Sequence, residues 1–139
     1  MKPKVLVVDD EQFVIDGIRR LLHPRFEVHG ATSGDAGLTT MKTSGPFEIV
    51  IADMRMPKMN GIEFLTKARI ADPNAIYMML TGNADHATAV DAVEVGHVFQ
   101  FLAKPCSEGE LEKALSSALE LHALQTKLDT IKTGKSTAA

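Results

Sequence analysis

The sequence predicts an α/β fold, one parallel β-sheet with helices on both faces. Three observations carry this. Five short apolar runs recur along the 139 residues. Segments with helical spacing or helix start and stop signals lie between them. Clusters of Gly, Pro, Asn and Asp mark the joints. Strands that alternate with helices in this way pack as a parallel sheet under two helical layers. Right-handed crossovers then leave few topologies. The length suits one domain with a sizeable core.

The first run, Val5-Leu6-Val7-Val8, is apolar throughout and ends in Asp9-Asp10. A strand without alternation is one buried on both faces. Val14, Ile15, Ile18, Leu21 and Leu22 then recur at the spacing of one helix face, and His23-Pro24 stops that helix. Phe26 to Ala31 is a weaker second strand. Ser33 starts a helix that the Thr43-Ser44-Gly45-Pro46 punctuation ends. Phe47 to Ala52 is the third strand and ends in Asp53. A Met-, Pro- and Gly-rich loop leads to Gly61, a helix runs through about Ile70, and Asp72-Pro73-Asn74 is a turn. Ala75 to Leu80 is the fourth strand, ending at Thr81-Gly82. A helix over His86 to Val95 stops at Gly96. Phe99 to Ala103 is the fifth strand, ending at Lys104-Pro105. Ser107 and Glu110 open the last helix with a capping box.

In a parallel sheet all the strands end on one rim, and ligands bind there. The chain therefore brings Asp9 and Asp10, Asp53, Thr81 and Lys104 to one edge from four separate strands. Each alone has a plainer reading: Asp9 or Asp10 as a helix cap, Asp53 as a loop carboxylate, Thr81 as a turn residue, Lys104 as a solvated charge. Their joint placement argues for a site. Clustered carboxylates repel one another unless a positive charge sits among them. An all-oxygen donor set suits Mg2+. A cation-loaded carboxylate site facing a lysine fits phosphoryl transfer, with Asp53 as the nucleophile candidate and Asp9 and Asp10 as metal holders.

Four segments resemble the receiver domain of two-component response regulators: Val5 to Glu11, Asp53 to Gly61 (DMRMPKMNG), Leu80-Thr81-Gly82, and Phe101-Leu102-Ala103-Lys104-Pro105. The resemblance covers residues 4–123. It implies a flavodoxin-like (βα)5 doubly wound sheet with strand order 2-1-3-4-5. It implies that Asp53 accepts a phosphoryl group from a sensor histidine kinase or phosphotransfer protein, with Mg2+ as cofactor. By the same resemblance Asp10 and Asp53 bind Mg2+ directly, Asp9 helps through water, and the Arg55 backbone carbonyl is a further ligand. Thr81 and Lys104 contact the phosphoryl oxygens, Phe101 is an aromatic switch residue, Arg55 and Asn83 tune the phosphoryl lifetime, and the Lys104-Pro105 bond is cis. The implied protein is a regulatory switch, the receiver part of a longer regulator, with no substrate beyond its own Asp53.

Two other readings fare worse. A phosphohydrolase of the haloacid dehalogenase type needs a second Asp two residues after the nucleophile, where Arg55 stands. A flavin-binding domain wants a Ser/Thr/Gly-rich phosphate loop after the first strand, where Asp9-Asp10-Glu11 would repel phosphate. The formal charge of −3 and scattered Lys/Arg argue against nucleic-acid binding. The longest apolar runs fall short of the about 18 residues a membrane span needs. One cysteine, Cys106, and an opening without a leader point to a cytoplasmic, reducing setting. The Met54, Met56 and Met59 cluster reads as loop packing. Past residue 123 a helical extension or linker and a disordered tail occupy 124–139. Leu121, Leu124, Leu128 and Ile131 there keep the three-four-three rhythm of a coiled coil, which suits pairing with a second copy.

Overall fold

The structure, a computed structural model, describes residues 2–82, 98–104 and 106–132. Its elements are β1 (Lys4–Val8), α1 (Gln12–Leu22), β2 (Glu27–Ala31), α2 (Gly34–Ser44), β3 (Ile49–Asp53), α3 (Gly61–Ala71), β4 (Ile76–Thr81), β5 (Gln100–Ala103) and α4 (Glu108–Lys132). The five strands form one sheet in the order β2-β1-β3-β4-β5, and every neighbouring pair is parallel. This is the predicted flavodoxin-like topology. The expected helix over 86–95, Asn83, the Lys104-Pro105 bond and the tail 133–139 lie outside the described residues.

The apolar runs end up where their lack of alternation places them. β3 and β4 are buried along their whole length, and Val5 to Val8 of β1 are inaccessible. The period-2 geometry of a strand divides the core into two layers. Val5, Val7, Ile49, Ile51, Ile76, Met78, Leu80 and Leu102 face Ile15, Ile18 and Leu22 of α1 and Leu111, Ala114, Leu115 and Ala118 of α4. Leu6, Val8, Val50, Ala52, Tyr77 and Met79 face Met41 of α2 and Phe64, Leu65 and Ala68 of α3. Met54, Met56 and Met59 are buried in that second layer, so the methionines do serve loop packing.

Two local expectations shift. β3, β4 and β5 begin at Ile49, Ile76 and Gln100, after Phe47-Glu48, Ala75 and Phe99. These precede the paired register, although single bonds such as the Phe99 N–H to the Tyr77 carbonyl (2.8 Å) already anchor them. β3 and β4 also run one residue further than expected, so Asp53 and Thr81 are held inside strands. At the start of α4, the Ser107 hydroxyl accepts the Glu110 N–H at 3.2 Å as expected. The Glu110 carboxylate, however, accepts from that same hydroxyl instead of from the Ser107 backbone. The fully reciprocal box sits on α3, where Asn60 Oδ1 accepts the Glu63 N–H at 2.9 Å and Glu63 Oε1 accepts the Asn60 N–H at 3.1 Å.

Tyr77 ties β4 to the far end of α3. Its buried hydroxyl lies 3.0 Å from the Ala68 carbonyl and 2.6 Å from the Asp72 carbonyl, and its one proton serves these two acceptors. Burial, then the Asp72 charge, pushes the phenol well above its ordinary pKa, so it stays a donor. Replacing it should expose the role. Tyr77→Phe should lower unfolding stability by about 1 kcal/mol in urea denaturation, the net value of a buried hydrogen bond. The native fold should be retained in circular dichroism.

Candidate functional site

Register and alternation together build the rim. Val8 pairs with Ala52, Asp53 with Leu80, and Thr81 with Ala103. The ends of β1, β3, β4 and β5 therefore lie level within a residue or so. Asp9 follows Val7 at a period of 2, Asp53 follows Ile51 and Lys104 follows Leu102, and all three precursors face the α1–α4 layer. Three charged side chains thus emerge on the same side of the sheet, from sequence positions far apart. Thr81 follows Met79, so its side chain belongs to the α2–α3 side. Single backbone bonds beyond the strands pin these positions: the Asp9 N–H to the Ala31 carbonyl, the Met54 N–H to Leu80, and the Lys104 N–H to Thr81, at 3.0, 3.0 and 2.9 Å.

Lys104 Nζ is 2.9 Å from Asp9 Oδ2, 3.1 Å from Asp53 Oδ1 and 3.9 Å from Glu11 Oε1. Asp9 is fully buried, and Asp53 and Thr81 nearly so. Asp9 Oδ1 also accepts the Glu11 N–H at 2.9 Å. Asp9 is therefore not the cap of α1, whose N-cap is Glu11; one of its oxygens holds the turn into that helix while the other faces the rim. That second oxygen sits at ion-pair distance from the ammonium group but makes no directed hydrogen bond among the described residues. Asp10 is exposed at the mouth. One carboxylate oxygen each from Asp9, Asp10 and Asp53 lies within 4.8 Å of the others, an all-oxygen set with an under-coordinated buried atom. These residues fit a hard divalent cation.

Asp53 holds its proton more tightly than an ordinary aspartate. Burial is the main cause, with the Asp9 and Asp10 charges adding to it, and together they outweigh the Lys104 hydrogen bond. For Lys104, burial pulls toward deprotonation, but the summed contacts with Asp9 and Asp53 hold the ammonium form above its usual range. The two directions agree on one point: the rim carries more negative charge than its single lysine neutralises.

Phe101 lies on β5 opposite Met79 and packs, partly buried, against the α2–α3 layer, on the side of the sheet that Thr81 occupies. Arg55 is exposed in the loop after β3. Cys106 packs, half-buried, against the α1–α4 layer, and burial, then the Glu110 charge, pushes its thiol pKa up. Two residues of the rim are not singled out by the sequence pattern. Glu11 enters that pattern only as the end of a motif, yet it is the third carboxylate around Lys104. Gly61 donates its N–H to the Met54 carbonyl at 2.9 Å, and a Cβ there would sit 2.3 Å from the Asp53 carbonyl oxygen. Only a glycine lets the start of α3 press against the backbone that carries Asp53. The Asn60-x-x-Glu63 cap just before it is a readable signal for this helix start. Lys58, in the same loop, adopts a left-handed φ of 68°, a conformation costing a non-glycine residue about 1 kcal/mol.

Known proteins resemble this chain in sequence and fold. The family profile described as response regulator receiver domain matches residues 5–116. The hydrogenase transcriptional regulatory protein HoxA of Cupriavidus necator is 31% identical over 121 residues, covering 87% of this chain and 25% of that protein. A crystal structure of adenylate cyclase from Rhodopirellula baltica superposes with a TM-score of 0.90 at 38% identity, covering 98% of this chain and 100% of that one. A response regulator receiver domain from Clostridium thermocellum superposes with a TM-score of 0.81 at 32% identity, covering 88% and 98%. The chain spans about a quarter of the length of the curated relatives it matches.

Two outcomes are expected. Because the folded state raises the Asp53 pKa, its ionisation costs the fold stability. That cost is absent below the ordinary value near 3.8 and sets in as pH rises through the raised one. In metal-free buffer, Asp53→Asn should therefore be more stable than wild type at neutral pH, and the gain should shrink on acidification; paired urea titrations across pH measure it. Gly61→Ala, forced against the Asp53 backbone, should lose about 1–3 kcal/mol in the same assay.

Proposed function

The chain belongs to the response regulator receiver domain family, and on that premise we propose that it is a phosphorylation-operated switch whose phosphoacceptor is Asp53. The observation that carries the reading is the Lys104 ammonium group set between the Asp9 and Asp53 carboxylates, with Asp10 in reach, on the rim where four strands end. The donor in this reading is a phosphohistidine on a sensor kinase or phosphotransfer protein. An Asp53 oxygen attacks the phosphorus in line. A new P–O bond forms as the P–N bond breaks, and the imidazole leaves with the electron pair.

The chain's own groups fill defined roles. Burial makes Asp53 a more basic carboxylate than one in water, hence a better nucleophile once ionised. Lys104 is already oriented by two carboxylates, and it pairs with a phosphoryl oxygen without being reorganised at the moment of transfer. The Thr81 hydroxyl donates to another oxygen. Asp10, Asp53 and the Arg55 carbonyl would hold Mg2+, and Asp9 would help through water. Bound there, Mg2+ neutralises charge on the transferring group. Movement of Thr81 toward the phosphoryl group opens space into which Phe101 turns, a two-state element biased by one ligand. The output is regulatory, through the longer protein of which this is the receiver part, in the cytoplasm. Arg55 stands where a phosphohydrolase would carry its acid/base aspartate, so the chain acts on no substrate besides Asp53.

Acetyl phosphate with Mg2+ should label the wild type with an acid-stable, base-labile phosphate. Asp53→Asn should take up none, and chelation should abolish labelling. A label of the same lability on Asp53→Asn would overturn the assignment. Thr81→Ala should still be labelled. NMR of the Phe101 ring should shift on adding beryllofluoride to wild type and stay unchanged in Thr81→Ala. Identical Phe101 spectra with and without beryllofluoride in wild type would remove the switch role.

A further inference from the structure

Glu11 is an odd residue for the place it holds. It is the N-cap of α1, yet its side chain caps nothing. The other three described helices each carry a working cap: Ser33 for α2, Asn60 for α3 and Ser107 for α4 accept an N–H of the helix they open. Glutamate is a weak choice at this position, where Ser, Thr, Asp and Asn are favoured. Residues that break a local rule gather at functional sites. The Glu11 carboxylate turns instead toward the rim, where its Oε1 lies 3.9 Å from Lys104 Nζ. Asp9 sets this up with both of its oxygens. Oδ1 accepts the Glu11 N–H at 2.9 Å, and Oδ2 lies 2.9 Å from the ammonium group. Glu11 is half-exposed. It and Lys104 stand on the wall of a recess of about 570 Å3 beside α1, lined by apolar side chains such as Val14, Leu21 and Leu80, with Arg20 the other charged residue among those described. The open recess gives both side chains room to move.

We propose that Glu11 is a positioning residue that restrains Lys104 and thereby slows phosphoryl uptake by Asp53. The proposal rests on the phosphoacceptor reading and adds to it a residue that sets the rate. An ammonium group has three N–H donors. Asp9 and Asp53 hold Lys104 on two sides, and Glu11 competes for the donor that remains. An incoming phosphoryl oxygen must win the ammonium group from these partners. At 3.9 Å the Glu11 contact is an ion pair without a direct hydrogen bond, so it is the one given up most readily. At transfer an Asp53 oxygen forms the new P–O bond while the bond to the leaving group breaks and that group departs with the electron pair. Glu11 takes no part in those bonds and acts through Lys104. Its charge also adds to the surplus on the rim, which favours a bound cation and opposes an anionic donor.

Acetyl phosphate labelling at saturating Mg2+, fluorine NMR of bound beryllofluoride and calorimetry of Mg2+ binding, all on the 139-residue chain, test the proposal. Two variants separate contact from charge. Glu11→Gln keeps the length and loses the charge. Glu11→Asp keeps the charge, but its shorter carboxylate should turn onto the free N–H groups of α1 and away from Lys104. Both should take up the phosphoryl group roughly threefold to tenfold faster than wild type, the scale of one screened ion-pair contact, and bind beryllofluoride correspondingly tighter. Glu11→Asp should also unfold at a higher urea concentration through its new cap, which separates its faster uptake from a loosened fold. Only Glu11→Gln should bind Mg2+ more weakly. Variants whose uptake equals or falls below that of a wild type labelled at Asp53 overturn this role and leave the phosphoacceptor reading standing. A gain confined to Glu11→Gln overturns positioning through Lys104, because charge at the mouth alone then accounts for it. A wild type that takes no label at Asp53 removes the phosphoacceptor reading, and this inference with it.

Discussion

The ammonium group of Lys104, shared between Asp9 and Asp53 at 2.9 and 3.1 Å, is the contact on which the rim depends. It joins the ends of the first, third and fifth strands, positions far apart in sequence. Without it two buried carboxylates would face each other unpaired, a state costing several kcal/mol per ion. With it the site still carries surplus negative charge, and Asp53 binds its proton more tightly than usual. A partly neutralised, partly buried carboxylate cluster is poised to accept something positive or something that lysine and hydroxyl donors can hold. Its instability and its chemistry have the same source.

The rest of the architecture keeps that cluster in place. Parallel pairing levels the strand ends, and the alternation of side chains sends Asp9, Asp53 and Lys104 to one side while Thr81 goes to the other, toward Phe101. The charged contacts and the hydroxyl–aromatic pair therefore sit on opposite sides of the same sheet edge. A ligand at Asp53 that engages both Lys104 and Thr81 would link the two sides. Gly61 adds the last constraint by letting α3 press on the Asp53 backbone.

Much of this is legible in the residues. Unbroken apolar runs in β1, β3 and β4 signal strands buried on both faces, and polar residues directly after them mark the rim. Ser33 is a readable cap, and its hydroxyl does accept the Ala36 N–H. What stays hidden depends on neighbours in space. Strand ends at Asp53 and Thr81 are set by which partner residues lie alongside. The closeness of Glu11 to Lys104 follows from how the turn into α1 is held by Asp9 Oδ1. The role of Gly61 exists only because the Asp53 carbonyl approaches it. The direction of the Asp53 shift is a contest between burial and Lys104, and no pattern of letters decides such a contest.

The most direct test locates the phosphoryl group itself. Wild-type protein treated with acetyl phosphate and Mg2+ can be reduced with borohydride, which converts a phosphorylated aspartate to homoserine, and mapped by mass spectrometry. Conversion at Asp53, with Asp9 and Asp10 unchanged, is the predicted result. Conversion at any other aspartate, with Asp53 intact, would contradict the assignment of Asp53 as the nucleophile of the rim.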